Sequence, residues 1–225
     1  MTLDWDWAFA ASVLPALVSA LGVTLVATAG GMVLALALGL GLALAGGARR
    51  RAVSWPAAAL VAFVRNTPLL LQLYFLFYVA PEFGLTLTPL VTGILVLGLH
   101  YGTYTAAAYR AGIDAVPRGQ WDAAAALGLS QARTVGRVIL PQALPPILPV
   151  LGNYLVSMLK ETPLLASITV LEVMHTARSI GAETFRYVEP LTLVGLLFLA
   201  LSLCASRLVA RLSARVPALA GRELA

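Results

Sequence analysis

Long apolar runs separated by short polar clusters set the elements of this chain. Residues 8–48 carry no charged side chain. A helix crossing the hydrocarbon core of a bilayer needs about 20 mostly apolar residues, so this run is too long for one straight crossing. The pattern places a span at residues 22–45 and leaves the part before Pro15 at the interface; a hairpin broken at Gly30-Gly31 would leave each half too short. Four further runs qualify: residues 55–80, with Arg65 inside; 87–109; 147–170, with Lys160 and Glu161 inside; and 190–210. All five are predicted to be helical, because lipid cannot satisfy an exposed backbone N–H or C=O. The predicted fold class is all-α: a polytopic membrane protein with five transmembrane helices, in one domain over residues 1–225.

Residues 110–146 are the longest stretch outside the spans. The alanines at 123–126 favour helix, and Asp122 is placed to support its N-terminal end. Gly128 can close that helix in a left-handed cap, and Ser130 can cap a second helix, which Pro141 stops or kinks. The expected result is two short helices with a hinge. The residues alone allow an interfacial hairpin on lipid headgroups equally well.

Composition narrows the class. The chain is 60% hydrophobic and 11% charged, against about 25% charged in an ordinary soluble domain. A soluble core of this length cannot hide that much apolar surface. The net charge of +5 comes from arginines clustered at the ends of apolar runs. That placement fits anionic lipid headgroups and topology control, not nucleic acid. Five spans put Arg49, Arg50, Arg51, Arg110, Arg118, Arg133, Arg137, Arg207, Arg211, Arg215 and Arg222 on one side. The other side holds Arg178 and Arg186 against Asp4, Asp6, Glu82, Glu172, Glu183 and Glu189. The arginine side is therefore expected to be cytoplasmic, with the N-terminus outside. The acidic start is not the head of a signal peptide, so the first run is expected to be retained. Cys204, the single cysteine, excludes an intrachain disulfide and is expected to be a buried small hydrophobe.

Enzymatic chemistry finds no support. There is no G-x-x-x-x-G-K-[ST] phosphate loop, no H-E-x-x-H pair and no G-x-S-x-G elbow. His100 and His175 lie too far apart in sequence to suggest a metal or a nucleophile–base pair. The notable polar groups are inside the spans, where ionisable residues are costly and usually functional. Asn153, Ser157 and Glu161 recur at i, i+4 and i+8, while Lys160 points about 100° away from its neighbour Glu161. Pro163 follows and can loosen the helix end. In the third span His100 and Tyr104 share a face, as do Tyr101 and Thr105. Gly98-x-x-x-Gly102 permits close helix packing. Gln72, Tyr74 and Tyr78 lie in the second span, the tyrosines as packing or interface-belt residues. Two readings stay open for Glu161: it lines a cavity and takes the cationic part of a solute, or it and Lys160 pair with other helices for assembly alone.

One resemblance carries further. Asp122-Ala123-Ala124, then Gly128, then Val138-Ile-Leu-Pro141 resembles the EAA loop of ABC importer permeases, with Asp where Glu is usual. The segment VRNTPLL at 64–70 resembles the R-G-T-P-L-L segment of polar amino-acid permeases, with Asn66 replacing Gly. Gly119-Gln-Trp-Asp122, Leu140-Pro-Gln-Ala143, Gly152-Asn153 and Lys160-Glu-Thr162 also fit, the last with Glu where Asp is common. The match covers nearly all of the chain after Gly22. It implies a type I importer fold, in which Asp122, Ala123, Ala124, Gly128 and Pro141 belong to a coupling loop docked on a separate ATPase subunit. ATP is then bound by that partner, and this chain holds no cofactor. The resemblance further implies an external solute-binding protein and a second permease, identical or paralogous. His100 stands where the family often has Asn near the substrate. The wording GLHYG at 98–102, YRAGID at 109–114 and FRYVEP at 185–190 resembles permeases of ectoine and hydroxyectoine uptake. The expected solute is a polar amino acid or amino-acid-like compatible solute, held by Glu161, Asn153, Ser157, His100, Tyr104 and Lys160. The alternative is an ion-coupled secondary transporter of a small zwitterion, but no internal repeat is visible.

Overall fold

A computed structural model describes residues 5–48 and 50–214. Asp4, Arg49, Arg215 and Arg222, counted in the charge asymmetry, lie outside the described residues. Helix α1 runs over Trp7–Gly46. Asp6 caps it, accepting the Phe9 N–H at 3.0 Å. The helix passes through Pro15 unbroken, so the expected separation of an interfacial start from a span does not occur. Packing overrides the missing N–H: Val13 and Leu17, on either side of Pro15, are buried against Val173, Ala177 and Val194. At ~1.5 Å per residue α1 is about 60 Å long, roughly twice the hydrocarbon thickness.

The second predicted span is not one helix. Helix α2 (Arg51–Arg65) and helix α3 (Leu69–Tyr74) meet at a 105° bend, and α3 continues through a π-helical turn at Phe75–Val79 and a 3-10 turn at Ala80–Phe83. Pro68 causes the break: it has no N–H and holds Thr67 away from helical geometry. Gln72 then binds the loose ends, its Nε2 donating to the Val64 carbonyl (2.8 Å) and to the Thr67 carbonyl (3.0 Å) and hydroxyl (2.9 Å).

Helix α4 (Pro89–Ala115) packs along α1 through small residues. Gly98 lies against Leu34, Gly102 against Leu38, and Gly39 against Thr105. The Thr105 hydroxyl donates to the Ala35 carbonyl at 2.7 Å. The close approach that Gly98-x-x-x-Gly102 permits is realised here. These contacts advance together, from Gly30 at Ile94 to Gly47 at Arg110, so α1 and α4 run parallel. The α2–α3 pair must therefore return the chain, and the bent pair counts as one crossing among five.

Helix α5 (Arg118–Ala126) ends as expected at Gly128, with φ 69°. The Gly128 N–H donates to the Ala125 carbonyl and the Leu129 N–H to that of Ala124, the paired bonds of a glycine-closed helix end. Two expectations fail nearby. Asp122 is the fifth residue of α5, past the first turn where it would meet the helix dipole. Ser130 precedes helix α6 (Gln131–Thr134), but its side chain makes no capping bond. Pro141 does not stop the second helix either: α6 widens through a π-helical turn at Val135–Ile139 and flows into helix α7 (Leu140–Glu161). Proline at the first turn after that widening removes a donor the ladder can spare. Residues 110–146 thus hold the two helices expected, but the second is continuous with α7 and not a separate short element. A 3-10 stretch (Thr162–Ile168), helix α8 (Val173–Thr184) and helix α9 (Val188–Ala214) complete the chain.

The main core lies where α1, α3, α4 and α7 meet, around Leu73, Leu97, Met158 and Leu165. A smaller cluster joins the start of α1 to α8 and α9. Most of α9 is uncovered, and Cys204 on it is exposed, contrary to expectation. Lipid tails are as apolar as leucine, so an apolar run in a membrane chain does not report burial in the protein.

Candidate functional site

Six polar and aromatic residues from three elements converge inside the bundle. Helix α4 presents His100, Tyr101 and Tyr104, spaced so that all three fall on adjoining faces. Helix α7 adds Tyr154 and, at its last residue, Glu161. The end of α2, set by the Pro68 break, adds Arg65. Ring centroids lie 5.3 Å apart for His100 and Tyr104, 6.1 Å for Tyr101 and Tyr104, and 5.9 Å for Tyr104 and Tyr154. The Arg65 guanidinium stands 4.8 Å from the centroid of Tyr104 and donates to the Thr103 carbonyl. The Tyr101 hydroxyl donates to Glu161 at 2.8 Å. A cation and a carboxylate therefore flank one aromatic cluster.

The cluster holds unused hydrogen-bonding capacity. His100 Nδ1 and Arg65 Nε are buried without a partner. Buried polar atoms are normally paired, and each exception calls for a cause. A ligand carrying both donors and acceptors would supply the missing partners.

Of the sequence-predicted residues, the structure brings His100, Tyr104 and Glu161 together. It does not bring the rest. Asn153 and Lys160 are exposed, Ser157 is half-buried, and among the described residues none of the three makes a side-chain hydrogen bond or ion pair. The i, i+4, i+8 stripe drifts: eight residues turn about 80° past two full turns, whereas seven fall about 20° short. Tyr154, seven residues before Glu161, therefore shares its face better than Asn153 does. Arg65, Tyr101 and Tyr154 escaped sequence reasoning. The signal for Arg65 was a guanidinium inside an apolar run; nothing in the pattern separates Tyr101 and Tyr154 from packing tyrosines.

At the arginine-rich end, Asp122 and Ala123 of α5 are exposed and Ala124 is buried. Trp121 and Val138 pack on Ile113, Val116, Ile139 and Ala143, and Gln142 Nε2 bonds Gln120 Oε1 at 3.1 Å. Helix α5 is thus held on the bundle, with Asp122 and the exposed Leu127 facing outward. At the other end, Arg186 pairs with Asp6 at 3.2 Å and with Glu189, and lies over Phe9. The Phe9 N–H, and then the Ala8 N–H and Arg186, hold the Asp6 carboxyl below the usual carboxylate range. Burial pushes the Glu172 carboxyl up, against the Met174 and His175 N–H groups that favour its charged form.

Residues 35–217 match the family of binding-protein-dependent transport system inner membrane components. The chain belongs to this family. It is 47% identical to "Probable amino-acid ABC transporter permease protein y4tG" of Sinorhizobium fredii, over 96% of this chain and 94% of that one. It is 31% identical to "Probable amino-acid ABC transporter permease protein YckA" of Bacillus subtilis, over 89% and 90%. A solved structure described as an amino acid ABC transporter with histidines superposes with a TM-score of 0.86 at 30% identity, over 95% of this chain and all of that one. The architecture is the type I importer fold, in a polytopic inner-membrane permease. Such a subunit is a component of a transport system and not itself an enzyme. The ion-coupled carrier considered from sequence gives way to this assignment.

Proposed function

We propose that this permease forms the membrane pathway of an ABC importer for a zwitterionic amino acid or amino-acid-like solute, and that the solute rests between Arg65 and Glu161. The observation that carries the reading is the opposed pair itself: a guanidinium stacked on Tyr104 and a carboxylate bonded by Tyr101, across one aromatic cluster. The solute carboxylate faces Arg65, its cationic group faces Glu161, and the rings of Tyr101, Tyr104 and Tyr154 bound its apolar body. His100 offers an imidazole nitrogen to either. The relatives named for amino-acid transport support the substrate class. Within that class, ectoine and hydroxyectoine are the specific candidates, on the sequence wording at 98–102, 109–114 and 185–190. The working assembly has two permeases, an ATPase docked on α5 around Asp122, Ala123, Ala124 and Gly128, and an external solute-binding protein. The arginine-rich end faces the cytoplasm.

The test is Glu161→Gln and, separately, Arg65→Gln in the complete transporter reconstituted in proteoliposomes. A charge-assisted hydrogen bond contributes about 1.5–3 kcal/mol. Each substitution should therefore raise the solute concentration for half-maximal uptake by about tenfold to a hundredfold, with the ATPase still bound. Dissociation of the complex, with residual uptake keeping its normal affinity, would make both residues structural and leave Lys160, His100 and Tyr104 as the next candidates.

A further inference from the structure

Arg65 has a second side. Away from the aromatic cluster it lines an open cleft of about 280 Å³ between α1, α2 and α4, and Arg110 lines the same cleft. The remaining wall is small, with Ala43, Ala57 and Ala106 among its residues, and Thr103 is the other polar contributor. Small side chains on three meeting helices ordinarily let backbones close on each other; here the space stays open. None of the described lining residues is acidic.

The two guanidiniums are arranged in depth. Arg65 donates to the Thr103 carbonyl, and Arg110 stems seven residues further along α4, about 10 Å towards the arginine-rich end. The Arg110 guanidinium lies against Gly47, which closes α1, where the free carbonyls of a helix end favour a cation. Its ion pair is with Asp114, one turn on and 57% exposed, so that contact is weak and exchangeable. The exposed Arg50 and Arg51 begin α2 at the same end. Positive charge lining a cleft concentrates anions.

We infer that this cleft is a water-filled, anion-selecting chamber on the cytoplasmic side of Arg65, in which Arg110 takes over the solute carboxylate as the solute leaves. The inference rests on the reading of Arg65 as the carboxylate partner of the bound solute. One guanidinium that stands on Tyr104 and also lines the cleft links the two: the carboxylate slides across Arg65 and is caught by Arg110 before any long transfer through apolar surroundings. Arg110 is thereby a transit residue, and its loss should slow turnover without weakening the inner site.

Ala107, which lines the cleft, offers a probe position. In the complete transporter carrying Cys204→Ala and Ala107→Cys, inside-out vesicles are treated with an anionic (sulfonatoethyl) or a cationic (trimethylammonioethyl) methanethiosulfonate, each normalised to its rate on a free thiol. The anionic reagent should react about tenfold faster, Arg110→Gln should remove most of that preference while Arg110→Lys keeps it, and saturating solute should protect the thiol. In uptake, Arg110→Gln should lower the maximal rate with the half-saturating concentration unchanged. A cysteine that reacts with neither reagent, yet is labelled by a small uncharged maleimide, marks a lipid-filled groove and overturns the inference. So does equal reactivity towards both reagents, or charge preference without solute protection. The Arg65 and Glu161 affinity measurements use no thiol labelling, and the labelling of Ala107→Cys uses no affinity measurement, so a failure of the solute site is told apart from a failure of the chamber.

Discussion

Tyr101 couples the negative charge of the site to the scaffold, because its hydroxyl is the group that holds the Glu161 carboxylate. Tyr101→Phe keeps the ring and its neighbours and deletes only that donor. A net intramolecular hydrogen bond is worth about 0.5–1.5 kcal/mol, so Tyr101→Phe should weaken solute affinity about twofold to tenfold, less than Glu161→Gln. Concentration-dependent uptake in proteoliposomes measures this. A loss equal to that of Glu161→Gln, or failure of the complex to assemble, would make the pair a structural brace. At this scale the sequence was informative about charge and uninformative about company. An ionisable residue in an apolar run announces itself through its desolvation cost. A tyrosine does not, since the same residue packs, caps or binds according to its neighbours, which the chain alone does not name.

Elements were legible wherever a local rule dominates. Gly128 closes α5 with positive φ because a residue without Cβ takes that geometry freely. Gly128→Val should therefore disrupt the end of α5 and detach the ATPase, or abolish its transport-linked stimulation, while the permease still inserts. Co-purification of the ATPase and solute-stimulated hydrolysis are the measurements, and normal values in both would sink the docking role of α5. Prolines were harder to read. Pro68 breaks the second span, Pro15 does not break α1, and Pro141 sits at a π-helical widening that carries the chain onward. The residue is the same; the outcome turns on whether neighbouring groups restore the lost bonds, as Gln72 does after Pro68, or packing holds the axis, as around Pro15.

For the whole molecule, the start of α9 meets the start of α1 through Asp6, Arg186 and Glu189, and α9 runs on as one span, so the two ends of the described chain lie at opposite ends of the bundle. Combined with the arginine asymmetry, this predicts that a cysteine at Ala182, in a Cys204→Ala chain, is labelled by an impermeant maleimide from outside intact cells. One at Ser130 should be labelled only after permeabilisation; both positions are exposed. The reverse pattern would invert the topology. Sequence by itself determined the solvent, the number of crossings, the charge asymmetry and the glycine-closed turn after α5, because hydropathy, charge and backbone freedom are properties of short stretches. Only the tertiary structure decided that Arg65 meets Tyr104, that Tyr154 and not Asn153 shares the face of Glu161, and that Arg65 and Arg110 border one cleft. Those juxtapositions join residues far apart in the chain, and they depend on helix phase and on where packing breaks a helix or tolerates a proline.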